Sequence, residues 1–312
     1  MPERLRVAVI GCGGIARDIY LPLLDVHDGA TVCTCVDASE TVRERMCARF
    51  PNAAHLASAD ELGADACDCA LVLTPVREGL DAHCEPVLAL MAAGVPTLCE
   101  KPLSADFWRA EQMVAAAEAS GTLLMMGVNR RFAPVYRRAA EHFAGHTIEM
   151  CAAEKSGSGG IFRELVTNSL HLLDAMRWLC GEVAEVSGWC ISEGETDLGA
   201  AASLRFEDGA LGSCVMSRAA GRWIERMVLH GQGRTAIIDA PHSVETIADG
   251  QRVSWCPDQA CWQMPEPQRW GFAAQLDHFL ACVRGDEQPH VTARDALASH
   301  RLAEAIRALR GS

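Results

Sequence analysis

The most constraining feature of the sequence is a strand-like apolar run that leads directly into a glycine-rich turn and then into a helical pattern. Residues 5–10 read LRVAVI, and the turn that follows is GxGxxA in the setting that gives this motif its meaning. The first glycine permits a tight turn, the second lets the backbone approach a pyrophosphate, and the alanine permits close helix packing. The pattern predicts a nucleotide-binding βαβ unit whose binding residues are Gly11, Cys12, Gly13, Gly14, Ile15 and Ala16.

A carboxylate follows the second predicted strand, residues 30–36, at Asp37. In this position it can accept hydrogen bonds from both ribose hydroxyls of an adenosine, and it repels a 2′-phosphate. Ala38 and Ser39 are part of the same predicted contact. The sequence therefore favours NAD over NADP, with a turn or helix-capping role as the alternative for Asp37.

Strand-like and helix-like runs continue to alternate up to about residue 125. Alternation at this spacing predicts a parallel, doubly wound sheet that binds its ligands at the carboxyl ends of the strands. Thr74-Pro75 follows a predicted strand at 67–73, and Glu100-Lys101-Pro102 follows another at 95–99. Both segments are therefore expected to face the cofactor. A single helix is predicted between Pro75 and Gly94.

The pattern changes after Gly127, where strand-like runs joined by short turns predominate. Successive strands of this kind predict a mostly antiparallel sheet. The runs are 147–153, 183–191, 200–206, 210–218, 223–230 and 235–239. We therefore predict a Rossmann domain over 1–125 and an α+β domain over 126–312, in which two terminal helices, near 277–280 and over 292–309, complete the second domain.

A helix-like run over 162–180 carries a polar stripe at three- or four-residue spacing. The stripe contains Glu164, Thr167 or Asn168, His171, and Asp174 or Ala175. A histidine here suits proton transfer at neutral pH, because its unperturbed pKa is near 6.5. A satisfied structural histidine is the alternative. The opposite stripe of the helix is apolar and is expected to face the core.

Charge and cysteine usage exclude several classes of protein. The formal net charge of −13 and the pI near 5.3 argue against nucleic acid and anionic membranes as partners. No apolar stretch reaches the length of a membrane span, and the first apolar run is no signal peptide. The fifteen cysteines have no metal-binding spacing, so reduced thiols in a cytoplasmic protein without a metal site are expected.

Several motifs together resemble the Gfo/Idh/MocA oxidoreductases, the glucose–fructose oxidoreductase and inositol dehydrogenase family. They are GxGxxA, Thr74-Pro75, His83 seventeen residues before Glu100, Ala-Gly before Glu-Lys-Pro, and Asn129-Arg130-Arg131-Phe132. The resemblance covers essentially the whole chain. It implies a small-molecule substrate and a homodimer or homotetramer that forms through one face of the second sheet.

The resemblance also implies roles for individual residues. Lys101 would contact the reacting oxygen, His171 would shuttle the proton, and both would be catalytic. The cofactor contacts would further include Thr74, Pro75, His83, Glu100, Lys101 and Asn129. The substrate contacts would be Lys101, Arg130, Glu164, Thr167, Asn168, His171 and Asp174.

The chain departs from the family pattern on the helix that carries His171. The family has an aspartate four residues before the histidine, where this chain has Thr167, and Ser169 replaces the usual glycine. The expected activity is hydride transfer between nicotinamide and a secondary alcohol or ketone of a sugar, inositol or related cyclic polyol. The alternatives are a reductase of a less polar substrate (a dihydrodiol, a bilin-like tetrapyrrole or an imine) and an NAD-binding regulator without turnover.

Overall fold

The structure is a computed structural model that describes residues 3–63, 65–77, 80–158, 169–194, 196–258 and 263–310. The described residues form two compact units. Unit 1 contains those within Met1–Gly127 and Gln275–Leu297, and unit 2 contains those within Val128–Ala274 and Ala298–Ser312. Each unit has its own sheet.

Unit 1 is built on a parallel sheet of six strands, with a separate two-stranded hairpin. Its strands are β1 (Leu5–Ile10), β2 (Ala30–Val36), β3 (Ala54–Leu56), β4 (Cys69–Val72), the hairpin strands β5 (Val76–Arg77) and β6 (Leu80–Asp81), β7 (Thr97–Glu100) and β8 (Leu124–Gly127). The order in the sheet is β3-β2-β1-β4-β7-β8. Because β2 and β4 flank β1 on opposite sides, the strand order reverses at β1, where a doubly wound sheet binds its ligands. This confirms the predicted fold class for the first part of the chain.

Helical segments connect these strands. A π-helical turn (Ala16–Tyr20) runs into α1 (Leu21–Asp25), and it is followed by α2 (Glu40–Arg49), α3 (Cys84–Ala92) and α4 (Phe107–Ser120). Asp106 caps the start of α4, where its side chain accepts the backbone N–H of Trp108, and Gly121 caps the end in the left-handed conformation. Val87, Leu90 and Met91 on α3 are buried, as expected for a helix that covers a sheet.

The segment after Thr74-Pro75 differs from the prediction of a single helix. The hairpin of β5 and β6 comes first, and α3 begins only at Cys84. The Thr74 hydroxyl donates to the carbonyl of Ala82 at 2.6 Å, and the Ala82 N–H donates to the carbonyl of Pro75 at 3.3 Å. These bonds close the segment on itself, and a helix could not make them.

Unit 2 is built on an eight-stranded sheet. Its strands are β9 (Met150–Ser158), β10 (Val183–Glu193), β11 (Thr196–Phe206), β12 (Leu211–Ser217), β13 (Ala219–Gly231), β14 (Arg234–Asp239), β15 (Ser243–Ala248) and β16 (Gln251–Trp255). The order is β10-β11-β12-β9-β13-β14-β15-β16, and every neighbouring pair is antiparallel except β12 with β9. The predicted, mostly antiparallel sheet is confirmed.

One face of this sheet is covered and the other is open. In β11 the residues Ala200, Ala202, Leu204 and Phe206 are buried, and the residues between them are exposed. The covering elements include a 3₁₀ turn (Asn129–Phe132), α5 (Pro134–His142) and α6 (Leu170–Cys180). The core of unit 2 lies between these helices and the buried face.

Strands β15 and β16 were not predicted from the sequence. Two residues, Asp249 and Gly250, connect them, and both have positive φ angles of 52° and 72°. An Asp-Gly pair between two runs of alternating apolar and polar residues is a strong hairpin signal. The pair favours a two-residue turn with positive φ angles, whose twist matches that of the flanking strands. The information was therefore present in the sequence.

The last helices are α7 (Glu266–Arg269), α8 (Phe272–Arg284) and α9 (Ala293–Arg307). Both terminal helices were predicted to belong to the second domain, whereas Gln275–Leu297 groups with unit 1. Contacts within unit 1 explain the difference: Arg284 donates to the carbonyl of Gly29, and Arg294 pairs with Glu118. No helix in the described residues is long and apolar enough to cross a membrane.

Candidate active site

The glycine turn after β1 has the shape that its sequence predicts. Gly11 has a φ of +87°, and a Cβ atom there would lie 2.6 Å from the backbone nitrogen of Thr74, so only glycine fits. A Cβ on Gly13 or Gly14 would meet nothing within 4 Å. The turn is therefore packed on one side and open above its second and third glycines, where a phosphate group can approach the backbone. Ile15 and the buried Ala16 continue the chain into the π-helical turn.

Asp37 holds the glycine turn through its carboxylate. Its Oδ2 accepts the N–H of Cys12 at 2.9 Å, and its Oδ1 accepts the N–H of Ser39 at 2.9 Å. Ala38 and Ser39 are exposed, and Asp37 is half-buried. Each carboxylate oxygen retains a lone pair that can accept a ribose hydroxyl. The glycine turn and Asp37 thus fit a dinucleotide.

His83 connects the ends of two neighbouring strands. The imidazole is buried, with Nδ1 2.8 Å from the carbonyl oxygen of Pro102 and Nε2 2.6 Å from that of Thr74. Burial lowers the pKa of His83, although the two carbonyls and Asp81 oppose this shift. Both ring nitrogens therefore face backbone atoms of unit 1. Pro75, the residue after Thr74, is exposed.

Glu100 is buried at the end of β7 and contacts the residue that follows it. Its Oε2 accepts the backbone N–H of Lys101 at 3.1 Å, and its Oε1 accepts the hydroxyl of Tyr20 at 2.8 Å. Gln275 donates to the same hydroxyl at 2.9 Å. Burial and the charge of Glu100 raise the pKa of Tyr20, so it remains a neutral donor. Lys101 itself is half-buried.

In unit 2 the predicted residues Asn129 and Arg130 lie on the 3₁₀ turn, and both are buried. Arg130 pairs with Glu225 of β13, with Nε–Oε1 and Nη2–Oε2 distances of 2.5 and 2.9 Å. Its guanidinium lies 4.0 Å from the ring centroid of Trp270. The Asn129 amide donates to the carbonyl of Trp270 at 2.9 Å, and its oxygen accepts from Arg130.

Lys155 of β9 shares the same carboxylate. Its Nζ lies 3.3 Å from Oε2 of Glu225, which is its direct partner in strand register. The hydroxyl of Tyr136 donates to Oε1 of Glu225 at 3.2 Å. Burial alone would raise the pKa of Glu225, but Arg130 and Lys155 lower it to about 2. Glu225 is therefore an anion inside the core.

Arg131, which follows Arg130 on the 3₁₀ turn, forms a second buried ion pair with Asp174. Arg131 donates Nε to Oδ2 of Asp174 at 2.8 Å and Nη2 to Oδ1 at 2.6 Å. Oδ1 also accepts the hydroxyl of Ser299 at 3.0 Å, and Ser299 accepts from Arg177 at 2.6 Å. Asp174 is fully buried, so its carboxylate is engaged within unit 2.

His171 lies in the first turn of α6, one turn before Asp174. The residue is 7% exposed, and almost all of α6 is buried. Leu172 and Met176 of the predicted apolar stripe lie in the core as expected, and the polar stripe is buried as well, with the Asp174 carboxylate paired to Arg131. Glu164, Thr167 and Asn168 lie outside the described residues.

Four residues that hold the site residues in place were not predicted from the sequence: Tyr20, Gln275, Lys155 and Glu225. Gln275 lies 255 residues after Tyr20, and Glu225 lies 95 residues after Arg130. No spacing pattern links residues so far apart. Among the described residues, no group of three or more His, Cys, Asp or Glu side chains could hold a metal ion.

Two family models match the chain. One describes an oxidoreductase family with an NAD-binding Rossmann fold and matches residues 5–128, and the other describes the GFO/IDH/MocA C-terminal domain and matches residues 109–237. The chain belongs to the Gfo/Idh/MocA oxidoreductase family. The predicted oxidoreductase class and the predicted NAD cofactor are confirmed.

Relatives of this Gfo/Idh/MocA protein include named dehydrogenases. The myo-inositol dehydrogenase Hyg17 of Streptomyces leeuwenhoekii is 36% identical over 241 residues, which is 70% of each chain. The inositol 2-dehydrogenase 2 of Paenarthrobacter aurescens is 28% identical over 324 residues, and the match covers 97% of this chain and 95% of the relative. These relatives support a dehydrogenase that acts on an alcohol group.

A solved structure has the same fold. An oxidoreductase from Agrobacterium radiobacter, in complex with NAD+, L-tartaric acid and magnesium, superposes with a TM-score of 0.85 at 19% identity. The match covers 98% of this chain and 96% of that one. The similarity confirms the predicted architecture of both sheets.

Proposed function

We propose that this protein is an NAD-dependent dehydrogenase that oxidises a secondary alcohol of an inositol or a related cyclic polyol. The observation that carries the proposal is the 36% identity to a myo-inositol dehydrogenase over 70% of both chains. The presence of both Lys101 and His171 supports turnover rather than binding alone. The NAD-binding turn, closed by Asp37 on Cys12, supports the cofactor.

Oxidation of an alcohol requires a base for the hydroxyl proton and a cation for the charge that develops on oxygen. NAD, when bound, accepts the hydride. We assign His171 as the group that takes the proton and Lys101 as the cation that contacts the reacting oxygen. Glu100 accepts the backbone N–H of Lys101 and so orients this residue.

The structure supports revised roles for two predicted substrate contacts. Arg130 is committed to Glu225, and Asp174 is committed to Arg131 and Ser299. A substrate hydroxyl would have to displace these buried partners, at a cost of several kcal/mol for each charge left unpaired. We propose that Arg130 and Asp174 position the 3₁₀ turn and α6, which carries His171.

NAD is the proposed cofactor in preference to NADP. Asp37 carries its charge at the position where a 2′-phosphate would lie in this fold, and two anions repel each other there. The remaining predicted contacts, Thr74, Pro75 and Asn129, stay proposals that a ligand complex would test.

The proposed function is tested by following NADH formation with myo-inositol, other inositols and cyclic sugars as substrates. Wild type should reduce NAD with at least one of these polyols, and Lys101→Met should retain NADH binding while losing at least about 10³-fold in kcat. If only dihydrodiols, tetrapyrroles or imines react, the polyol assignment is wrong. If wild type and Lys101→Met are equally silent while NADH binds, the chain is a regulator rather than an enzyme.

We further propose a homo-oligomer that uses the open face of the unit 2 sheet. Six large apolar side chains are exposed on this face: Met150, Trp189, Ile191, Leu211, Val215 and Ile237. Exposed apolar patches of this kind mark protein interfaces. Light scattering should report a dimer or tetramer that Trp189→Glu weakens. A monomeric wild type would contradict this.

The free thiols support a cytoplasmic location. None of the fourteen cysteines in the described part of the chain forms a disulfide. Reducing compartments keep thiols in this state. We therefore propose the cytoplasm, which fractionation of cells that express the tagged chain would test.

A further inference from the structure

His83 makes a contact pattern that the proposed reaction does not use. The residue precedes α3, is 1% exposed, and has a backbone carbonyl at hydrogen-bond distance from each ring nitrogen. One carbonyl belongs to Thr74, just after β4, and the other belongs to Pro102, just after β7. Strands β4 and β7 are neighbours in the sheet. A single side chain thus joins two loops at the carboxyl ends of adjacent strands.

Two carbonyl partners exceed what a neutral imidazole can satisfy. The neutral ring has one N–H donor and one lone pair, so one of the two oxygens would face a lone pair at 2.6 or 2.8 Å. Only the imidazolium ion donates to both oxygens. In its neutral form His83 therefore bonds either the Thr74 loop or the Pro102 loop, and in its protonated form it bonds both.

The two loops carry the predicted chemistry of unit 1. Pro102 directly follows Lys101, so its carbonyl anchors the backbone next to the lysine. Thr74 packs against Gly11, since a Cβ on that glycine would lie 2.6 Å from the Thr74 nitrogen. Thr74 has a second anchor, because its hydroxyl donates to Ala82. Loss of His83 should therefore disturb the Lys101 loop more than the Thr74 loop.

The surroundings of His83 have opposite effects on its protonation. Asp81 on β6 accepts the backbone N–H of His83 at 3.3 Å, and its charge favours the imidazolium ion. Burial disfavours the ion and is the stronger effect, so the pKa of His83 lies below its ordinary value. The nearby thiols Cys84 and Cys99 have raised pKa values, mainly through burial, and stay neutral. The charged residues next to Pro102 are Lys101 and Glu100, and the carboxylate of Glu100 accepts the backbone N–H of Lys101.

We propose that His83 is a positioning residue that fastens the loop carrying Lys101 to the loop carrying Thr74, and that proton uptake lets it hold both carbonyls together. The inference rests on the proposed role of Lys101 in oxidising the polyol. His83 then acts through the backbone of its neighbours and contacts neither substrate nor cofactor. Its bonds to these carbonyls set where the lysine lies, and the second bond forms only when the ring is protonated.

Kinetics of His83→Leu provide the first test. Leucine donates to neither carbonyl, so the Lys101 loop should loosen whether or not the wild-type ring is protonated. We expect kcat to fall about 10- to 100-fold, as for a misplacement of about 1 Å, while the Kd for NADH changes less than about threefold. The matched control is His146→Leu, at an exposed histidine of unit 2, which should leave both values unchanged. An unchanged kcat in His83→Leu, or a loss of NADH affinity as large as the loss of kcat, would overturn the proposal.

A titration of the wild-type protein provides a second test that needs no variant to fold. By NMR, the imidazole of His83 should titrate below pH 6.5, and the carbonyl carbons of Thr74 and Pro102 should shift with the same midpoint. If His83 stays neutral down to the pH at which the fold is lost, or if neither carbonyl follows it, the proposal is wrong. This titration does not require activity. A fully active Lys101→Met would therefore refute the proposed function while leaving the linkage of the two loops measurable.

Discussion

The two units hold their candidate residues in different ways. In unit 1, side chains at the strand ends bind backbone groups: Asp37 accepts from Cys12, Glu100 accepts from Lys101, and His83 faces the carbonyls of two loops. In unit 2, side chains bind each other through buried charges, as in the pairs of Arg130 with Glu225 and Arg131 with Asp174. One unit positions its site by local hydrogen bonds, and the other by ion pairs.

This difference predicts how each unit responds to substitution. A hydrogen bond from a side chain to the backbone contributes about 0.5–1.5 kcal/mol, and its loss mainly moves a loop. A buried charge that loses its partner costs about 3–5 kcal/mol and weakens the whole unit. Substitutions in unit 1 should therefore change catalysis and cofactor binding at nearly constant stability, and those in unit 2 should change stability first.

The largest expected effect is that of Glu225→Gln on the stability of unit 2. The variant leaves Arg130 and Lys155 as buried cations without their shared carboxylate. We expect the free energy of unfolding in urea to fall by about 3–5 kcal/mol.

The matched control for this variant is Glu185→Gln. Glu185 pairs with Arg205 at the surface, where water screens the pair, so its loss should be undetectable. Equal effects of the two variants would contradict the view that buried ion pairs hold unit 2.

A smaller effect is expected from His300 on α9, which is buried in unit 2 and whose pKa burial lowers to about 4. Below pH 6.5 the unfolded chain binds this proton and the folded chain does not, so stability falls as the pH falls towards 4. Between pH 7.5 and 5 the loss should be about 2 kcal/mol. The free energy of unfolding in urea should differ less between the two pH values in His300→Gln than in wild type. In His146→Gln this difference should be the same as in wild type. If the stability of His300→Gln has the same pH dependence as that of wild type, His300 is not its source.

The smallest effect is expected from Asp37→Ser in unit 1. The change removes the carboxylate that accepts the N–H of Cys12 and leaves the fold intact. We expect the Kd for NADH, measured by fluorescence, to rise about tenfold, and the preference for NADH over NADPH to shrink. A wild-type protein that binds NADPH more tightly than NADH would contradict the role of Asp37.

The same difference explains how much of the molecule could be predicted from sequence. The parallel sheet and its nucleotide turn follow from contiguous residues, because a strand, a glycine turn and a helix are encoded next to one another. The predicted strands at 5–10 and 30–36 match β1 and β2. The hairpin after Pro75 was not predicted, because no sequence pattern indicates the hydrogen bond from the Thr74 hydroxyl to the Ala82 carbonyl.

The interior of unit 2 could be predicted only in outline. Alternating residues indicated the strands, whereas the partners of Arg130 and Arg131 lie 95 and 43 residues away along the chain. The family resemblance implied a substrate contact at Asp174, and in the structure this carboxylate pairs with Arg131. Long-range pairing of buried charges depends on tertiary packing, and no local pattern encodes it.

The proposal that Lys101 and His171 both serve one polyol dehydrogenase reaction is tested most directly by isotope transfer. Wild type, Lys101→Met and His171→Asn are each incubated with NAD and with myo-inositol that carries deuterium on its ring carbons, and the deuterium in NADH is measured by mass spectrometry. We predict transfer by wild type, and transfer at least about 10²-fold slower in both variants at an unchanged Kd for NADH. Transfer at the wild-type rate in either variant would contradict the account.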